Sequence, residues 1–114
     1  MGRPVVHFEL YGRNPSALQD FYSKAFGWEV HTPEGMNYGM VHTNASDKGI
    51  DGGIAEGAPR VNFVIEVPDL KAALDEIEQL GGKTVTPITD MGPVMFAEFS
   101  DPEGNVVGIV KADD

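Results

Sequence analysis

The sequence predicts an α+β domain made of two tandem βαβββ modules, and three observations carry that expectation. A strand-like run, a helical stripe and three further strand-like runs follow in that order, and then the order repeats. Sliding the chain along itself by 55 positions gives ten ungapped identities over residues 7–56. Ordinary composition would give roughly three. The chain has 114 residues, 41% of them hydrophobic, which is enough to build the core of one domain without a disulfide or metal staple.

Each element has a local reason. Residues 4–11, "PVVHFELY", alternate as a half-buried strand does. Asn14 and Pro15 read as an N-cap and first helical position, and Leu18, Phe21, Tyr22, Ala25 and Phe26 form one apolar face that stops at Gly27. Strands are expected at 28–33, 37–43 and 49–55, closing a first module of about 4–56. Residues 56–60, "EGAPR", read as a linker. The second module, about 61–112, opens with the strand "VNFVIEV" at 61–67. Asp69 is its expected N-cap, and Leu70, Ala73, Leu74, Ile77 and Leu80 make the stripe before Gly81-Gly82. Strands at 83–87, 94–100 and 105–111 complete it, the last one entered through the turn "DPEGN". The whole of 1–114 is expected to be one domain.

Composition removes several function classes. The net charge of −10, from 18 acidic and 8 basic residues without a basic stripe, repels phosphate backbones and argues against nucleic acid. It is compatible with a cationic ligand, although charge bears on solubility first. With no cysteine there is no disulfide, thiolate metal site or Cys nucleophile. No apolar run approaches the roughly 20 residues of a membrane span, and no signal-like segment precedes the first strand. A cytoplasmic protein with no membrane partner is therefore expected. The serines lie outside any nucleophile motif. The glycine-rich "KGIDGGIAEG" lacks the ending of a phosphate loop and reads as a glycine-thinned strand.

Strand alternation separates two faces. Phe8, Leu10, Phe63 and Ile65 point one way, toward the helix stripes. His7, Glu9 and Tyr11, and in the second copy Asn62, Val64 and Glu66, point the other way, into a cavity or into solvent. Tyr38, Met40 and His42 alternate on another strand, with Met95, Ala97 and Phe99 as their expected twin, and Trp28 follows the first helix stop. Gly53 and Gly108 are a repeat pair, each inside a strand, where glycine marks a bulge or a close approach.

The stretches "VVHFELYGRNPSALQDFYSKAFGWEV", "NFVIEVPDLKAALDEIEQLGG" and "FSDPEGNVVGIV" resemble the vicinal oxygen chelate superfamily, which includes glyoxalase I, bleomycin-resistance proteins, extradiol dioxygenases and methylmalonyl-CoA epimerase. The resemblance covers nearly the whole chain. It implies mixed sheets curling into a cup with helices outside, and a homodimer. It also implies that the metal ligands of such enzymes fall on His7, Gly53, Asn62 and Gly108. Imidazole and carboxylate are the usual donors, and here two of the four positions have no side chain. No metal centre and no cofactor are therefore expected; a divalent metal would need a displaced site drawing on Glu9 or His42.

The expected function is binding of a small organic molecule, of which a cationic aromatic is the sharper version, in an apolar cup without metal. The glycines would widen that cup. The pocket-lining candidates are His7, Glu9, Trp28, Tyr38, Met40, His42, Gly53, Asn62, Val64, Glu66, Met95, Phe99 and Gly108. The alternative is a lyase, isomerase or dioxygenase using a displaced metal, or His7 with Glu9 or Glu66 as acid and base. A third reading is a partner-binding module that has kept the fold and lost the site.

Overall fold

The computed structural model describes residues 2–34, 38–43 and 48–112. Asn37, the first residue of one expected strand, lies outside the described residues. The chain folds as two compact units, Val6–Asn62 and the residues up to Val5 together with Phe63 onwards.

The first unit holds β1 (Val5–Gly12), α1 (Pro15–Phe26), β2 (Glu29–His31), β3 (Tyr38–His42) and β4 (Gly52–Glu56). Its strands lie in the order β2-β3-β4-β1, with β1 and β4 parallel and the other pairs antiparallel. The second unit repeats this plan with β5 (Arg60–Val67), which enters it at Phe63, α2 (Leu70–Gln79), β6 (Lys83–Asp90), β7 (Met95–Ser100) and β8 (Val106–Lys111). Its order is β5-β8-β7-β6, with β5 and β8 parallel. The class is thus α+β, the strand pairing within each unit is mixed, and each unit is βαβββ.

The helices start where their caps predict. Asn14 Oδ1 accepts the Ala17 N–H at 3.2 Å, and Asp69 Oδ1 accepts that of Ala72 at 3.0 Å. Gly27, at φ 74°, closes α1, and its N–H donates to the Ser23 carbonyl. The turn before β8 is tied by Asp101, whose carboxylate accepts the Glu103 and Asn105 N–H groups and the Asn105 amide. Those bonds hold its carboxyl below the usual range, the Asn105 contact first among them.

Three expectations need correction. Expected strand 28–33 shortens to Glu29–His31, because Trp28 turns into an aromatic cluster. Expected strand 83–87 lengthens to Asp90 and runs through Pro87. It lies at the edge of its sheet, where a missing N–H is tolerated, and its register shifts between Thr84 and Thr86 and between Thr86 and Thr89. Glu56 and Arg60 belong to strands, so the expected linker reduces to residues 57–59.

Cores form where sheet meets helix. In the second unit Val67, Leu70, Leu74, Ala97 and Ile109 are buried together, with Ile65, Ala73, Ile77, Met95 and Phe99 packed around them. Leu80, expected in the helix stripe, is the C-cap and is exposed. In the first unit Val41 and Ile54 are buried. Phe21 and Phe26, expected on the packed face of α1, are 59% and 64% exposed.

Candidate functional site

The pleat of β1 sends Phe8 and Leu10 to one face and His7, Glu9 and Tyr11 to the other. The Phe8 ring lies over Gly52, where an added Cβ would meet ring carbons at 2.5 Å or slightly more, and sits 5.4 Å from Trp28. Trp28 stacks on Tyr22 of α1 at 5.1 Å and 10°. This is the helix side of the sheet, so Trp28 is a packing residue and not part of the His7 face.

Gly53, one residue on from Gly52, faces the opposite way. A Cβ built there would fall inside the Tyr38 phenol. The space left by the missing side chain is therefore filled by the chain's own ring. The expectation that Gly53 widens a cup for a ligand is corrected at this position: Tyr38 fits because residue 53 is glycine.

The Tyr38 hydroxyl lies at the centre of a polar line. It is 2.8 Å from His7 Nε2 and donates to Glu9 Oε2 at 3.4 Å. Glu9 Oε1 accepts the Tyr11 hydroxyl at 2.9 Å and the Asn62 amide at 3.0 Å. A phenol has one proton to give. When it goes to Glu9, His7 must donate from Nε2; when it goes to His7, Glu9 keeps Tyr11 and Asn62 as its donors. The Arg60 guanidinium lies 4.2 Å from the centroid of the Tyr11 ring.

Burial sets the charge states. Desolvation lowers the His7 pKa from its ordinary 6.5, although the negative charges of Glu9 and Asp51 oppose this. His7 is therefore a neutral imidazole near pH 7. Burial, followed by the charge of Glu9, raises the Tyr38 pKa well above the ordinary phenol value, so Tyr38 stays protonated. At the end of β3, His42 Nδ1 lies 3.1 Å from Asp51 Oδ2, and Asp51 Oδ1 accepts the Thr43 N–H. The His42 contact first, then the Thr43 bond, holds the Asp51 carboxyl low.

The structure thus brings together His7, Glu9, Tyr38, Gly53 and Asn62. Met40, beside Gly53 in register and 43% exposed, shares the face through the alternation of β3, as does His42. Val64 and Gly108 pair directly in the second unit and are buried, with Glu66 opposite Val110 on the same strands. Met95 and Phe99 are corrected: both pack on the α2 core. Met95 also borders a shallow hollow of about 300 Å³ with Leu70, Ile88 and Lys111.

That error has a register cause. Met40 pairs with Gly53, but Gly108 pairs with Glu98, three residues beyond the ungapped twin of Met40. The true counterparts of Tyr38 and Met40 are Phe96 and Glu98. Glu98, which accepts the Thr86 hydroxyl at 2.7 Å, went unread as a candidate, as did Arg60 in the supposed linker. Parity with Gly108 across β7 and β8 was the signal available for Glu98; nothing in sequence marked Arg60.

Among the described residues no three His, Asp or Glu side chains gather to hold a metal ion. His7 Nε2 is engaged by Tyr38, Glu9 Oε1 by two donors, and Gly53 has no side chain to serve as a ligand, so this set does not fit a divalent metal. No helix among the described residues is long and apolar enough to cross a membrane.

A family model described as a glyoxalase-like domain matches residues 7–110. A glyoxylase-like domain-containing protein of Didymella fabae is 30% identical, over 92% of this chain and 94% of its own length. A Mycobacterium bovis protein named as a glyoxylase, CFP32, is 30% identical over 91% of this chain; the match spans 44% of that protein, under half its length. A glyoxalase/bleomycin resistance protein/dioxygenase superfamily member from Vibrio splendidus 12B01 superposes with a TM-score of 0.67 at 17% identity, covering 97% of this chain and all of that one.

Proposed function

Since the chain belongs to the glyoxalase-like domain family of the vicinal oxygen chelate superfamily, we propose that it binds a small organic molecule on the His7–Glu9–Tyr38 face without a metal ion. One observation carries this reading: the Tyr38 phenol occupies the space over Gly53 and engages His7 there. A divalent ion would have to displace a 2.8 Å hydrogen bond and would gain no donor from residue 53. The face still offers a small ligand hydroxyls, a carboxylate, an imidazole and the exposed thioether of Met40, which suits adaptable contacts.

The test is thermal stability of the purified protein against a panel of small organic compounds, with and without EDTA. Compounds that bind the native state raise Tm. The rise should survive EDTA and shrink in Tyr38→Phe and Glu9→Gln. Hits that require added metal, or stoichiometric metal retained through purification, would overturn the reading.

A second reading is favoured by the Tyr38 hydroxyl standing between His7 and Glu9. A neutral imidazole, a phenol and a carboxylate in line can pass a proton, as a lyase or isomerase requires. Exchange of carbon-bound protons of small carbonyl compounds in D₂O, lost in His7→Gln, would support it over simple binding. The homodimer and the cytoplasmic setting belong to the same proposal. The exposed Phe21 and Phe26 of α1 offer apolar surface for a second copy. Light scattering on the purified chain would decide the dimer.

A further inference from the structure

We propose that Glu9 and Tyr38 hold His7 as the tautomer protonated at Nε2, so that Nδ1 is the basic nitrogen this face offers to a ligand. The inference rests on the proton-transfer reading above and deepens it, naming the atom that takes the proton. The direction of each bond follows from the fixed end of the line. Glu9 Oε1 accepts from two donors, the Tyr11 hydroxyl at 2.9 Å and the Asn62 amide at 3.0 Å. Asn62 is 3% exposed, so packing holds its amide in place. With both donors on Oε1, the carboxylate turns Oε2 toward the Tyr38 hydroxyl at 3.4 Å.

Both of those oxygens carry lone pairs, so they repel unless the phenol proton lies between them. A charged acceptor also draws that proton more strongly than a neutral imidazole nitrogen does. With its one proton so used, the Tyr38 oxygen can only accept from His7 at 2.8 Å, and the donor is Nε2–H. Burial keeps His7 neutral, and a neutral imidazole has one proton, so Nδ1 is bare. Among the described residues no hydrogen bond engages Nδ1, and His7 is only half-buried. A C–H or O–H acid that reaches Nδ1 leaves its proton there and keeps the electron pair. The imidazolium so formed still donates from Nε2 to Tyr38, and the charges of Glu9 and Asp51 favour it. The other groups facing the line are Tyr11 and Asn62 at Glu9, with Arg60 over the Tyr11 ring.

The tautomer is read from the ring ¹⁵N resonances of His7 in the ligand-free protein at about pH 8, identified by their loss in His7→Gln. The Nε2–H form should exceed the Nδ1–H form about tenfold or more. Glu9→Gln should reverse that preference. Its amide oxygen takes the place of Oε1 beneath the two donors, its NH₂ then donates to Tyr38, and Tyr38 turns its own proton to Nε2. A wild type protonated at Nδ1 overturns the assignment, and so does a Glu9→Gln variant that keeps the Nε2–H form. Should Glu9→Gln not fold, Tyr38→Phe replaces it: the excess of Nε2–H should fall about threefold or more, and an unchanged ratio overturns the assignment. No ligand takes part in these measurements. Proton exchange in D₂O with His7 protonated at Nδ1 would therefore sink the assignment alone, and the assigned tautomer without exchange would sink the proton-transfer reading alone.

Discussion

The two units share one pattern and use opposite sides of their sheets. α1 buries none of its residues, while α2 buries Leu70 and Leu74 against Val67, Ala97 and Ile109. In the first unit the order lies in side-chain hydrogen bonds on the face away from α1, around Tyr38 and Glu9. The repeat counterparts of His7, Glu9 and Tyr38 are Asn62, Val64 and Phe96, a set that cannot form the same line. A duplicated fold can thus concentrate apolar stabilisation in one copy and polar chemistry in the other.

The largest effect should come from breaking the apolar side. Ile109→Ala removes a side chain that is 1% exposed and should cost about 2–5 kcal/mol in urea denaturation. Phe26→Ala, on the other helix, should cost under about 1 kcal/mol, since Phe26 is 64% exposed. Comparable losses at the two sites would erase the contrast between the units.

Next in size is Gly53→Ala. Its Cβ must push the Tyr38 phenol aside, costing about 1–3 kcal/mol by overpacking. Adding Tyr38→Ala should recover part of that loss relative to the sum of the two single changes. Strict additivity would show that Tyr38 does not fill the space over Gly53.

The smallest effect is on pH dependence. The folded-state pKa of His7 lies below its ordinary 6.5, so the unfolded chain takes up the proton first as pH falls. The contribution is complete above about pH 6.5 and declines below it, and His7→Gln should flatten that part of the stability profile. An NMR titration placing the His7 pKa at or above 6.5 would contradict the burial argument.

Much of the fold was legible because caps and periodicity are local. Asn14, Gly27, Asp69 and the 101–105 turn act within a few residues of themselves. Strand pairing is not local, and there the reading slipped. The ungapped repeat aligned Met40 with Met95, yet Gly108 lies beside Glu98, which moved Met95 and Phe99 from the open face to the α2 core. An odd displacement in a two-residue period exchanges the faces of a strand. Trp28 misled for a related reason: an aromatic after a helix stop can turn to either side, and contact with Tyr22 and Phe8 decided it.

The sequence by itself determined the two βαβββ patterns, the helix ends, the charge and the glycine at 53, since each is written in residue type and short-range spacing. The tertiary structure alone decided what stands over Gly53 and what stands over Tyr11. Both occupants, Tyr38 and Arg60, arrive from other strands, and long-range packing rather than neighbouring sequence brings them there.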